Sequence, residues 1–407
     1  MQISRRNFIN AGLLGATGVA LNASDSVLGA AVQNQLGLVQ IPQAIGFDER
    51  ETTLERSKAW TPVSDRKIRV GVAGFGPRFS TPLFGFQSHP NVEVVAVADL
   101  VKERCDKLAA ACKCAKQYDS LEKMVEDDSI EAVFVATDAP SHAEHAIRAL
   151  ECGKHVACAV PAVWGARPDQ ADRLYETVKK TGLKYGLFEP AAFCDGVYAC
   201  RKIYKAGGFG ELQYVEGESR RLGVPYAPAM WNPSSAVAYY TCVTGLAFTE
   251  VSAWRQPSFQ TNKYYSGNPF GAALGTEVAV FTTAEGGVAR VTVGFDVFGT
   301  MAKALGCRGR LGAWSERSKY SAFADKTAAL LGNVNLLQPA LPTTFNAAGR
   351  ASYGQLTNDF IEAILLDVNP LVNVAVALNS TVCGHIAHES ALRCGEALKV
   401  PQYAMWS

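Results

Sequence analysis

The sequence predicts an α/β chain in which a doubly wound parallel sheet precedes an α+β domain built on a larger, mostly antiparallel sheet. Two textures carry this reading. From Lys67, short Val-rich runs ("KIRVGVA", "VEVVAVAD", "EAVFVAT", "HVACAV", "KYGLF") alternate with helical stretches at Val101 to Ala115, Leu121 to Glu126, His142 to Glu151 and Pro168 to Lys180. Apolar strands separated by helices are those of a parallel sheet covered on both faces. After Glu189 a helix (Asp195 to Ala206) leads into longer strands of alternating polarity, "ELQYVEGESR", "AFTEVSAWR", "TEVAVFTT" and "VARVTVGFDVF". Such alternation marks a sheet with one packed face and one open face, and the open face suggests a homo-oligomer paired face to face. Helices near Tyr353 to Leu365 and near Val382 to Leu398 close the chain.

The 407 residues, 48% hydrophobic and 19% charged, suffice for two domains with separate cores. A net charge of +1 without a long basic run argues against a nucleic-acid partner and for a small, roughly neutral one. The expected organisation is a targeting segment over 1–31, a polar arm or linker over 32–66, a dinucleotide-binding domain over 67–189, and a substrate and oligomerisation domain over 190–407.

In "SRRNFINAGLLGATGVALNA" the pair Arg5 and Arg6 precedes a modestly apolar stretch broken by Gly12, Gly15 and Gly18, and resembles a twin-arginine export signal. Leu28-Gly29-Ala30 is the one weak cleavage candidate; an uncleaved signal would instead anchor the chain. No other run reaches the roughly 18 apolar residues of a spanning helix, so membrane contact is expected only through this signal. A periplasmic enzyme exported in the folded state has no renewable supply of soluble nicotinamide cofactor. It must hold its cofactor tightly and restore the redox state within each turnover.

Of eleven cysteines, Cys105, Cys152, Cys158, Cys200 and Cys242 fall in apolar patterns and are expected as buried thiols. Cys112 and Cys114 have no second pair at metal spacing, so no metal site is expected.

"KIRVGVAGFGPRF" gives a strand, then Gly74-Phe75-Gly76, then an expected helix start, with Asp99 closing the next strand 25 residues after Gly74. In this Rossmann-type order the first glycine makes the turn, the second admits a pyrophosphate, and the helix N-terminus favours its charge. Asp99 is placed to accept from ribose hydroxyls and so favours NAD, with NADP kept open by Lys102 and Arg104. Phe79 replaces the packing glycine and Pro77 lacks a backbone donor. Arg78 either reaches a phosphate or stays solvated.

These residues, with "ATDAPSHAEHAIRALECGKHV", "AGGFGEL", "VTGLAFTEVSAW" and "AHESALRCGEALKVP", resemble the Gfo/Idh/MocA family of glucose-fructose oxidoreductases and inositol dehydrogenases over about Lys67 to Gln402. The resemblance implies that Thr137 and the region of His142 and Pro161 lie along the cofactor; His142 equally suits a structural hydrogen bond at a helix start. It also exposes two losses. Where relatives carry Glu-Lys-Pro, this chain has Ala159, Val160 and Pro161, and Val160 cannot take the substrate's hydroxyl proton, a contribution of about 100- to 10,000-fold. Where relatives carry Tyr-Pro-Thr-His, this chain reads Asn232, Pro233, Ser234 and Ser235, and serine is no base.

The remaining candidates for chemistry are Tyr239, Glu189 and Ser235. Tyr239 and Tyr240 read either as acid–base groups or as aromatic core. Glu189 reads either as a carboxylate in the crevice at a strand end or as a helix cap. Asp195 and Arg201 read as surface residues, His388 as a packing residue, and Lys154 as solvent-facing. Three functions follow: an exported oxidoreductase acting on a sugar, glycoside or cyclitol with an unusual base, a redox-neutral glycosidase using bound NAD, and a binding protein that has lost chemistry.

Overall fold

The computed structural model describes residues 43–47, 60–76, 81–165, 168–220, 228–256, 275–294, 305–315, 318–322, 331, 336–338, 341–342 and 351–406. The expected export signal, most of the expected arm, and Pro77, Arg78 and Phe79 lie outside these residues.

Six parallel strands form the first sheet: β1 (Ile68–Ala73), β2 (Val92–Ala98), β3 (Gln117–Tyr118), β4 (Ala132–Val135), β5 (His155–Ala159) and β6 (Tyr185–Phe188). Their order, β3-β2-β1-β4-β5-β6, reverses between β1 and β4. At such a switch point the loops leave in opposite directions and open a crevice at the carboxyl ends of the strands. The strands are apolar because both faces are covered; all four residues of β4 are buried.

One face packs against α2 (Leu121–Met124), α3 (His142–Glu151) and α4 (Pro168–Thr181), through side chains such as Ala146, Leu150 and Leu174. The other packs against α1 (Lys102–Cys112) and a helix from far downstream, α7 (Ala351–Leu365), which contributes Tyr353, Leu356, Phe360 and Ile361. The sequence assigns this last helix to the second domain; in the fold it covers the first sheet. It does so because the helix expected after the glycine loop is replaced by two short 3-10 turns, Thr81–Phe84 and Phe86–Ser88, separated by Gly85 at φ 77°. Phe84 and Phe86 still fill the core, packing on Phe134 and Phe188.

The second sheet runs β13-β12-β11-β7-β10-β9-β8-β14, made of β7 (Leu212–Arg220), β8 (Phe248–Gln256), β9 (Thr276–Thr283), β10 (Val288–Gly294), β11 (Gly306–Gly309), β12 (Gly312–Ser315), β13 (Lys319–Ala322) and β14 (Leu398–Lys399). Only the β7–β10 pairing is parallel. Its inner face carries α6 (Ser234–Thr244) and α8 (Val374–Leu392), with α5 (Asp195–Lys205) packed on α6. Its outer face displays exposed Trp254, Val280 and Val288 beside Arg290, which pairs with Glu216 at 3.0 Å.

Helix α8 corrects the expected Val382 to Leu398 span. It begins at Val374 because Asn373 accepts the N–H groups of Ala375 and Val376 at 3.0 and 3.2 Å, a side-chain N-cap. It ends at Leu392, and Leu398 and Lys399 then join the sheet beside β8. Its residues are apolar nearly all round because it is buried between the two sheets. Helix α1 likewise stops at Cys112, since Lys113 turns left-handed at φ 55°.

Candidate functional site

Because the first sheet is parallel, every β-to-α loop leaves from one edge, which gathers Gly74 to Gly76, Asp99, Thr137, Val160, Pro161 and Glu189. Gly74 sits at φ 97°, and a Cβ there would lie 2.1 Å from the Ala136 carbonyl oxygen and 2.9 Å from the Thr137 nitrogen. Only glycine lets the β1 and β4 loops meet this closely at the switch point.

Asp99 binds the loop from beneath. Its Oδ2 accepts the Phe75 N–H at 2.8 Å and its Oδ1 accepts the Val101 N–H at 2.8 Å. A carboxylate offers about four lone-pair sites, so two backbone donors leave capacity for ribose hydroxyls. The cradle therefore fits a dinucleotide by its backbone approach and by its carboxylate. Among the described residues the segment from Thr81 is a 3-10 turn and not the expected α-helix.

His142 takes the structural of its two readings. The ring is buried, with Nδ1 2.9 Å from the Pro161 carbonyl oxygen and Nε2 3.1 Å from that of Thr137. Burial pushes its pKa down, and the neutral ring donates its one N–H to one of the two carbonyls it lies between. Its neighbour His145 is a residue the sequence reading missed. Nδ1 of His145 lies 2.8 Å from Thr137 Oγ1, and Nε2 lies 3.2 Å from Glu122 Oε1.

On the opposite side the segment Ala229 to Ser235, which stands where the family's Tyr-Pro-Thr-His run is expected, is held between two buried carboxylates. Glu189 accepts the Ala191 N–H at 2.9 Å, the Ser235 hydroxyl at 2.8 Å and the Ser234 hydroxyl. Glu189 is thus both crevice residue and cap, and it ties the end of β6 to the start of α6. Ser235 is exposed while Ser234 is buried. Glu277 accepts the Met230 N–H at 2.8 Å and pairs with His388 Nδ1. Trp231 lies edge-on to Trp164, with ring centroids 5.5 Å apart, and edge-on to His388 at 6.3 Å.

Other expected positions are resolved, and those of Arg201 and Lys154 are corrected. Tyr239 is buried and stacked on Trp314 in the core under the second sheet, one helical turn deeper than Ser235. Tyr240 is buried too; its oxygen accepts the Ala284 N–H at 3.0 Å. Arg201 is no surface residue: it is buried, donates to the carbonyls of Ala192 and Cys242 at 3.1 and 2.9 Å, and lies over the rings of Tyr198 and Phe193. Lys154 is buried as well, with Nζ 2.9 Å from the Asp127 carbonyl oxygen, whose desolvated charge it meets with a main-chain dipole. Asp195 is exposed, as expected. Cys105, Cys158, Cys200 and Cys242 are buried thiols, and Cys152 is half-buried. Among the described residues no group of three or more His, Cys, Asp or Glu side chains is placed to hold a metal ion, and no helix is long and apolar enough to cross a membrane.

Glu277 carried a legible signal. In "TEVAVFTT" it is in phase with the inward residues Ala279 and Phe281, so alternation alone places a carboxylate in the core. His145 and the Trp164–Trp231 contact carried none, because each is defined by a partner distant in sequence.

Residues 68–188 match the family profile described as an oxidoreductase family with an NAD-binding Rossmann fold, GFO_IDH_MocA. Glycosyl hydrolase family 109 protein 1 of Bacteroides thetaiotaomicron is 30% identical over 174 residues, 40% of this chain and 37% of that protein. An alpha-N-acetylgalactosaminidase of Bacteroides fragilis is 28% identical over 161 residues, 37% of each chain. The chain thus matches well under half the length of these curated relatives. The crystal structure of the WlbA dehydrogenase from Bordetella pertussis, in complex with NADH and UDP-GlcNAcA, shares the fold at a TM-score of 0.66 and 18% identity, over 84% of this chain and 99% of that one. With the strand order and the Gly74 cradle, these matches show that residues 68–188 are similar to the NAD-binding Rossmann domain of the Gfo/Idh/MocA family.

Proposed function

We propose that this chain is an exported enzyme that uses tightly bound NAD, with NADP as the second choice, to oxidise a hydroxyl of a sugar, glycoside or cyclitol. The observation that carries this is the Gly74 cradle closed by Asp99 and lying against Thr137 at the switch point. Bound there, the cofactor supplies a hydride acceptor. The chain's own residues do the rest. Gly74 admits the backbone approach, Asp99 is left with acceptor capacity for ribose, and the Glu189 clamp holds the exposed Ser235 hydroxyl at the crevice wall.

Net oxidation and a redox-neutral glycosidase cycle differ in the fate of the hydride. The second is favoured by relatives named glycosyl hydrolases and by the twin-arginine segment, since an exported enzyme regenerates its cofactor only by taking the hydride back. The outer face of the second sheet, with Trp254, Val280 and Val288 exposed, suits a homo-oligomer. A binding protein without chemistry has less support, because the parts that approach a nucleotide are kept.

The test is release of the bound nucleotide. Denatured, purified protein is expected to yield NAD(H) absorbance, and addition of glycosides to native protein to liberate sugar without accumulating NADH. Accumulated NADH would establish the net dehydrogenase, and protein that neither carries nor binds NAD(H) or NADP(H) would refute both redox readings.

A further inference from the structure

We propose that Thr137, His145 and Glu122 form a proton wire leading from the switch-point crevice to solvent, an inference that rests on the hydride-transfer reading above. Thr137 follows β4 directly, beside Gly74. His145 lies in the first turns of α3 and Glu122 at the start of α2. The hydroxyl oxygen is 2.8 Å from Nδ1, and Nε2 is 3.2 Å from the carboxylate. Exposure rises outward along the chain of groups, from 19% for the His145 side chain to 54% for that of Glu122.

The direction of each hydrogen bond follows from the end groups. Hydrogen bonds from its own backbone N–H and from the Ser120 hydroxyl, with His145 adding to them, hold the Glu122 carboxyl below its usual range. An ionised carboxylate only accepts, so Nε2 carries the ring proton and Nδ1 its lone pair. Thr137 then donates to Nδ1, and its oxygen is left as an acceptor for a hydroxyl in the crevice. His142, one turn away, cannot play this part, because both its ring nitrogens face main-chain carbonyls.

This arrangement answers the loss of a base at Val160 and Ser235. A substrate hydroxyl bonded to Thr137 passes its proton to Oγ1 as the threonine proton moves to Nδ1 and the Nε2 proton moves to Glu122, from which it leaves to water. The carbinol C–H bond breaks with its electron pair going as hydride to an oxidised nicotinamide, and the C=O bond forms. Thr137 is the group that touches substrate; His145 and Glu122 act through it.

Nitrogen-15 NMR of the histidine-labelled full chain tests the wire without a known substrate. In the wild type, His145 is expected as the tautomer protonated at Nε2, and Glu122→Gln to shift it toward a mixture. NAD+ added to protein first freed of its bound nucleotide should move the His145 signals and leave those of His155 in place, since His155 begins β5 at the amino-terminal ends of the strands, away from the crevice. Thr137→Val should abolish that response while weakening NAD+ by less than about tenfold, the worth of one hydrogen bond. A ring protonated at Nδ1 in the wild type, or NAD+ binding by calorimetry with His145 unmoved, would overturn the wire and leave the proposed function standing. Absence of any NAD+ binding would overturn the function and the wire with it.

Discussion

The two walls of the crevice are built from different kinds of group. On the first-sheet wall the groups that meet a nucleotide are mostly backbone: the left-handed Gly74, the loop N–H groups, and a single carboxylate that binds them. On the opposite wall, Ala229 to Ser235, chemistry would depend on side-chain identity, and Ser235 stands where the resemblance places a histidine. The first wall depends on backbone conformation, which at Gly74 only glycine allows, whereas a proton carrier depends on side-chain identity. What the second wall keeps is its anchoring, through Glu189 and Glu277.

Gly74→Ala attacks the first wall at its tightest point. The new Cβ would lie 2.1 Å from the Ala136 oxygen at a φ of 97°, so the β1 and β4 loops must part. Calorimetric titration with NAD+ is expected to show a loss of at least about 100-fold, in line with the several kcal/mol that strain and a lost cradle represent. Retained affinity would mean that the nucleotide does not use this loop.

Acid titration tests the interiors behind both walls together, since a buried neutral histidine lies under each sheet. Burial lowers His89, beside Asn358 under the first sheet, to about 4 despite their hydrogen bond, and lowers His385, beside Trp231, to about 4. Between pH 4 and 6.5 the unfolded chain binds protons at these sites that the folded chain does not. Stability therefore falls as the pH is lowered through that window, by up to about 3 kcal/mol per histidine at its acid end. Denaturant melts from pH 7 to 4 should show the decline, and His385→Asn should reduce it; a flat profile would refute the buried neutral state.

Glu189→Ala and Ser235→Ala separate anchoring from chemistry on the second wall. Removing the carboxylate frees the Ala191 N–H and leaves the buried Ser234 hydroxyl with the Asn232 Oδ1 acceptor alone, a loss of roughly 2–3 kcal/mol in denaturant melts. Ser235→Ala removes one hydrogen bond at an exposed site and should change stability by no more than about 1 kcal/mol. Equal losses would show that the clamp works through Ser235 rather than through buried Ser234.

Much of the first wall was legible in the sequence. A glycine loop between a strand and the next acidic residue is a local pattern, and local patterns fix local geometry. The second wall was not, because its contacts join residues far apart: Glu189 with Ser234, Glu277 with Met230 and His388, Trp164 with Trp231. Arg201 and Lys154 read as surface residues because charge predicts exposure on average; each is buried where main-chain carbonyls happen to converge on it. The helix after the glycine loop was misread because its place on the sheet is taken by α7, more than 250 residues later.

By itself, then, the sequence determined the order of strands and helices, the two sheet types and the position of the nucleotide loop, since periodicity and glycine placement act within a few residues. Tertiary structure alone decided which polar side chains face one another. Burial, the placing of His142 between two carbonyls and the alignment of Thr137, His145 and Glu122 depend on distances that no stretch of sequence contains.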